Sequence, residues 1–262
     1  MRARQQGFTL IELVTVIVIV GILAGMTTDI ITLPVKSYLD QQRRTTLVDN
    51  AESALRLMQR DIRGAVPNSI RITGGGTVLE LLHTSDGGRY RAQPASDGSG
   101  NVLDFTTADG SFDVIGSLQA TPQGDVVIYN LGQTNADAYA GNNRAALDST
   151  STASLIHLAS PKKFPLQSPR QRFFIVDTPV TYLCNVNSGE LLRYDGYGIT
   201  AAQANPPPGT GQLQVNHLSA CSFAYTSATA HRAGLVTLRI TLTDSAGESI
   251  RLLHQVHVDN AP

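Results

Sequence analysis

Phe8-Thr9-Leu10-Ile11-Glu12-Leu13-Val14-Thr15-Val16-Ile17-Val18-Ile19-Val20-Gly21-Ile22-Leu23-Ala24-Gly25-Met26 decides how the rest of this 262-residue chain is read. An apolar run of this length can cross a bilayer as a helix, which takes about 20 residues. One acid, Glu12, interrupts it. A carboxylate in hydrocarbon costs about 2.5–3.5 kcal/mol on insertion scales, so Glu12 needs a partner or a reason.

The run is preceded by Met1-Arg2-Ala3-Arg4-Gln5-Gln6-Gly7, and no basic residue follows it until Lys36. The positive-inside bias of Arg2 and Arg4 therefore predicts an N-terminus in the cytoplasm and the rest sent across the membrane. A secretory signal would be cut after its apolar stretch, and Ala24-Gly25-Met26 is a lax match for such a site. Against that reading stand the short leader, the acid inside the run and a helical pattern that continues beyond it.

The segment Gly7-Phe8-Thr9-Leu10-Ile11-Glu12 resembles the class III leader motif of type IV pilins and type II secretion pseudopilins. The resemblance implies that a membrane-embedded prepilin peptidase cuts between Gly7 and Phe8 and methylates the new amine of Phe8. Glu12 then becomes the fifth mature residue and pairs with the amine of an adjacent subunit during assembly. Elementary electrostatics agrees, because a carboxylate about one helical turn from a new ammonium can meet it in low dielectric and offset desolvation. The competing account is a carboxylate that merely snorkels to the interface.

The helical pattern runs to about Gly64, with Pro34 expected to interrupt and kink it. Beyond Pro34, Val35, Tyr38, Leu39, Leu47, Ala51, Ala54, Leu55, Met58 and Ile62 mark one buried stripe of an amphipathic helix. Charged and amide side chains, the pair Arg43-Arg44 among them, mostly fill the other faces. Gly64 and Pro67 form a plausible stop.

After Pro67 the composition changes to short β-like runs between Gly, Pro, Asp, Asn and Ser clusters. Expected strands are 77–83, 102–106, 112–118, 125–130, 154–158, 172–177, 180–185, 190–194, 213–217, 222–226, 235–243 and 249–258. Segment 235–243 alternates most cleanly. The stretches 85–100, 133–153 and 200–212 read as long polar insertions. The expected fold class is α+β, a long N-terminal pilin helix packed on a β-rich periplasmic head. Its expected parts are a leader at 1–7, a transmembrane and polymerisation helix at 8–33, a stalk helix at 34–66 and a head at 67–262. That head is long enough for a real core and room for two sheets.

Three further segments carry the resemblance toward the minor pilins of the mannose-sensitive haemagglutinin (MSHA) system. They are the junction from Arg60-Asp61 to Ile70-Arg71, the run from Arg172-Phe173 to Leu183-Cys184, and the ending from Gln255-Val256 to Ala261-Pro262. Such minor subunits resemble the J-type pseudopilin of type II secretion, which helps cap a fibre tip. The resemblance implies as partners the prepilin peptidase, other major and minor pilins, an inner-membrane assembly platform, and membrane lipid before assembly.

Cys184 and Cys221 are the only cysteines, and both fall in the part expected outside the inner membrane, where disulfides form. A stapled head is favoured over two free thiols. The net charge of −1 gives no footprint of a dedicated nucleic-acid binder, although Arg170, Arg172 and Arg193 could make a local basic surface. His254 and His257 fall on opposite faces of a strand, wrong for a shared metal. Asp97-Gly98-Ser99-Gly100 and Asp109-Gly110 suit turns better than calcium loops. Tyr182, Tyr194, Tyr197 and Tyr225 could line a sugar-binding surface or be packing. No catalytic set, metal site or cofactor motif emerges. The sequence therefore points to a structural subunit, with a tip adhesin or a secretion pseudopilin as the other readings.

Overall fold

The computed structural model describes residues 7–227 and 233–258, without the side chains of 27–31 and 33. Arg2 and Arg4 of the leader and residues 259–262 of the ending lie outside them. Two compact units divide between Val48 and Asp49.

One helix, α1, spans Leu10–Arg63. It continues through Pro34 rather than breaking there. A proline removes one bond of the ladder, and helical turns on both sides keep theirs. Arg60 and Arg63 in the last turn suit the negative end of the helix dipole. The helix stops as Gly64 N donates back to Arg60 O at 3.0 Å. Ala51, Ala54, Leu55, Met58 and Ile62 are buried as the expected stripe requires, whereas Val35, Tyr38 and Leu39 of that stripe are exposed. Among the described residues no helix is long and apolar enough to cross a membrane. The apolar run with described side chains ends at Met26.

The strands are β1 (Arg71–Thr73), β2 (Val78–Tyr90), β3 (Asp109–Ile115), β4 (Asp125–Ile128), β5 (Arg144–Ala146), β6 (Leu155–Lys162), β7 (Arg172–Asn185), β8 (Glu190–Tyr194), β9 (Gln212–Val215), β10 (Leu218–Thr226), β11 (Gly234–Thr243) and β12 (Ser249–Val258). Nine form one sheet in the order β5-β4-β7-β2-β3-β6, with β1 on β2 and β8 and β9 continuing from β7. The rest form a three-stranded sheet, β10-β11-β12. The class is α+β: the C-terminal part of α1 packs on a β-rich domain.

The long antiparallel pair β2–β7 is the spine. Sequence reading splits β7 in two at Thr178-Pro179. Instead the strand runs through, and Pro179 lies opposite Leu82, where the register of β2 begins to shift. A proline cannot donate to the ladder, so a bulge beside it is the expected local solution. At the same place the chain leaving the helix takes the other edge of β2, with Val66 N donating to Leu82 O and Thr84 N to Gly64 O.

Strand β2 also extends to Tyr90, through residues expected in a polar loop. Gly87 and Gly88 allow it, because a Cβ on Gly88 would sit 3.0 Å from the Phe173 ring. Other departures share one cause, that side-chain turns and neighbouring strands outweigh local pattern. Residues 102–106 form no strand: Asp104 accepts from Thr106 N and the Thr107 hydroxyl, tying a turn beneath buried Leu103. Asp109-Gly110 opens β3 instead of forming a turn. Strands β1 and β5 form where no strand was expected, each paired to a neighbour.

The core beside β2 and β7 is aromatic, with Phe112 and Phe173 edge to face at 5.5 Å between ring centroids. Strand β11 buries Val236, Leu238, Ile240 and Leu242 on one face, the alternation legible in its sequence. Backbone hydrogen bonds and one disulfide join the sheets. Phe223 N on β10 donates to Gly76 O at 2.7 Å. Cys184 on β7 and Cys221 on β10 are bonded, with Cα atoms 6.1 Å apart and a separation of 37 positions in sequence. Closing such a loop restricts the unfolded chain by about 4 kcal/mol on the entropic model. Replacing both cysteines by serine should lower stability by roughly that amount. Urea unfolding of the detergent-solubilised chain, oxidised against double mutant, measures it.

Candidate assembly site

The helix begins with a reciprocal cap. Thr9 sits just before Leu10, and Glu12 three residues later. Glu12 N donates to Thr9 Oγ1 at 3.3 Å, while Thr9 N and Oγ1 reach Glu12 Oε2 at 3.5 and 3.4 Å. This is the Thr-x-x-Glu capping box, which satisfies two backbone donors that a helix start leaves open. A carboxylate there also faces the positive end of the helix dipole. The sequence Thr9-Leu10-Ile11-Glu12 carried that signal, and reading Glu12 only as a membrane charge missed it.

Around the cap the apolar side chains are exposed among the described residues. Leu10 is 82% exposed, Ile17 62% and Met26 62%. A continuous exposed apolar surface marks a contact with lipid or another protein. Gly7 lies just ahead of it, and a Cβ there would meet nothing within 4 Å. Nothing in the described fold therefore requires glycine at that position.

The other end of the helix is locked by charge. Asp61 is buried on the helix's inner stripe. Its Oδ2 accepts from the Tyr182 hydroxyl at 2.8 Å and from Arg193 Nε at 2.9 Å. Arg193 also bonds Asp195. Burial raises the Tyr182 hydroxyl's pKa above the ordinary tyrosine value, and the Asp61 charge adds to the rise. A second network lies nearby. Buried Glu80 accepts from Arg71 Nε at 2.9 Å and from the Tyr197 hydroxyl at 3.3 Å. Arg71 lies 3.6 Å from the centre of the Tyr139 ring and donates to Ala201 O and Thr200 O. One guanidinium thus ties the start of the head to two of its long insertions.

These networks relocate several residues named from sequence. Tyr182 and Tyr194 are buried and line no sugar-binding surface, while Tyr197 and Tyr225 are half-buried. Arg193 is spent on Asp61 and Asp195, so it does not contribute to a basic surface with Arg170 and Arg172. Asp97 accepts from Ser99 N and Oγ in a tight turn. His254 and His257 lie on β12 opposite Leu238 and Leu235. Among the described residues no three His, Cys, Asp or Glu side chains gather where they could hold a metal.

Comparison with known proteins adds one finding. Residues 2–28 match the family model of the prokaryotic N-terminal methylation motif. The match spans both Gly7-Phe8 and the capping box. The chain carries a prepilin-type leader. It supports a pilin or pseudopilin subunit, a structural role in which chains of this kind are processed by prepilin peptidase and assemble with other pilins. No curated protein and no solved structure matches the chain.

Removing one member of a buried ion pair typically costs about 3–5 kcal/mol. Asp61→Ala should fall near the lower end, about 3 kcal/mol, because Arg193 keeps Asp195. Tyr182→Phe should lose about 1.5–3 kcal/mol, the range for a hydrogen bond to a charged group. Urea titrations of both variants against wild type read these losses.

Proposed function

We propose that this chain is a minor pilin of a type IV pilus, of the MSHA type, acting in the initiation or tip complex of the filament. The observation that carries the reading is an N-terminal methylation motif on a helix whose apolar side chains from Phe8 to Met26 are exposed among the described residues. On this reading the peptidase cuts at Gly7-Phe8 and methylates Phe8. Residues 8–33 then span the inner membrane with the N-terminus cytoplasmic and the head periplasmic. The subunit later leaves lipid for the filament, where neighbouring helices cover the same side chains. Apolar packing supplies the cohesion, and Glu12, meeting the amine of the adjacent subunit, supplies the register. The Cys184–Cys221 bond suits an oxidising compartment. The size of the β-rich unit favours a position with few crowding neighbours.

Two substitutions separate the steps. Gly7→Val adds atoms where the fold has space, so it should leave stability unchanged while the chain remains uncut. Mass spectrometry of the N-terminus reads this directly. Glu12→Ala should still be cut to Phe8 and methylated, yet be depleted about tenfold or more from sheared filaments, as a lost ion pair predicts. Normal recovery of Glu12→Ala in filaments would overturn the register role. Co-purification with secretion pseudopilins instead of pilus subunits would move the assignment to type II secretion.

A further inference from the structure

A cleft of about 860 Å³ opens on the head between the segment around 134–142 and the end of β6. That is within the range of small-molecule sites, about 300–1,000 Å³. Lys162 and Lys163 stand on one wall, Asn135 and Asn142 on the other, and Pro165 and Leu166 form an apolar rim. Lys162 is half-buried, and its Nζ donates to Gly141 O at 2.6 Å, bridging the two walls. An ammonium has three donors, so two remain for the cleft.

The charge of this cleft is uncompensated among the described residues. Among the described residues neither lysine has a carboxylate within ion-pairing distance. Asp109, the register partner of Lys162 across β3–β6, accepts instead from Asp104 N at 2.8 Å and Ser111 N at 3.2 Å. Asp125 is taken by Arg144. Burial, and then the charge of Arg144, lower the pKa of Lys162 below the ordinary lysine value. A half-buried cation among cations is an unfavourable arrangement that a bound anion would relieve. The side chains of Asn135 and Asn142 make no hydrogen bond among the described residues. Asn135 is held at φ 68° in a tight turn closed by Ala136 N donating to Gln133 O at 2.8 Å.

We infer that this cleft binds a carboxylated saccharide. The carboxylate lies against Lys162 and Lys163, vicinal hydroxyls bond the amides of Asn135 and Asn142, and the ring's apolar face meets Pro165 and Leu166. Amides offer donor and acceptor side by side, as hydroxyl pairs require. Among the described residues no aromatic side chain lines the cleft to favour a peptide anchor. The inference is independent of the assembly role of the helix.

The test is calorimetric titration of the full chain in non-ionic detergent with sialyllactose, digalacturonate, lactose and inorganic phosphate. A carboxylated sugar should bind at least tenfold more tightly than lactose or phosphate. Lys162→Gln and Lys163→Gln should each weaken it about tenfold, the scale of one charge-assisted hydrogen bond. Lys163 is exposed, so its variant keeps the thermal melt of wild type and isolates binding from folding. Absence of binding by both carboxylated sugars at millimolar concentration would overturn the inference. So would equal affinity for lactose, equal affinity for phosphate, or full affinity in Lys163→Gln.

Discussion

The carboxylate of Asp61 is the interaction on which the β-rich unit's hold on its helix depends. It is placed against electrostatic preference, because the C-terminal end of a helix disfavours negative charge. It is also buried, where an unpaired carboxylate would be costly. Two donors from different strands resolve both problems, Tyr182 on β7 and Arg193 on β8. Apolar burial of Ala51, Ala54, Leu55, Met58 and Ile62 supplies the bulk of the attraction but little direction. The charged pair supplies direction, since only one rotation of the last turns brings Asp61 to both donors.

The same logic recurs one layer away. Glu80 is buried on the spine strand β2 and is satisfied by Arg71 and Tyr197. Arg71 reaches further, to Tyr139 and to the carbonyls of Thr200 and Ala201. Long insertions order only if something offsets their entropy, about 1–2 kcal/mol per fixed residue. Here a polar hub at the exit of the helix gathers them, and the turn residues within each insertion do the rest.

The helix was the most legible part of the sequence, because a membrane-length apolar run and a long 3.6-residue pattern are strong signals; its Thr9–Glu12 cap was hidden behind the more conspicuous charge in an apolar run. Strands β11 and β12 were nearly as clear, since their residues alternate. Strand β7 was read as two pieces because Pro179 normally ends a strand; the bulge in β2 that accommodates it leaves no local mark. The end of β2 was hidden by Gly87 and Gly88, which are small because Phe173 needs the room. Asp61 was hidden differently. It falls three residues after Met58, in phase with the buried stripe, and a charge in that phase was the available clue. Its partners lie more than a hundred residues away, so only the fold could supply them.

On the proposed assembly role, environment would select between two uses of the Glu12 carboxylate. In the single chain it caps the helix through Thr9, a contribution of about 1 kcal/mol. An ion pair in water is worth about 0–1 kcal/mol, so an exposed partner amine could not draw the carboxylate from its cap. Two unit charges about 4 Å apart attract by about 4 kcal/mol at an effective dielectric of about 20. The exchange therefore becomes favourable only where surrounding apolar helices exclude water. For the proposed assembly role, the exposed apolar surface and the acid are thus one device: the packing that covers the first creates the low dielectric that lets the second choose its partner.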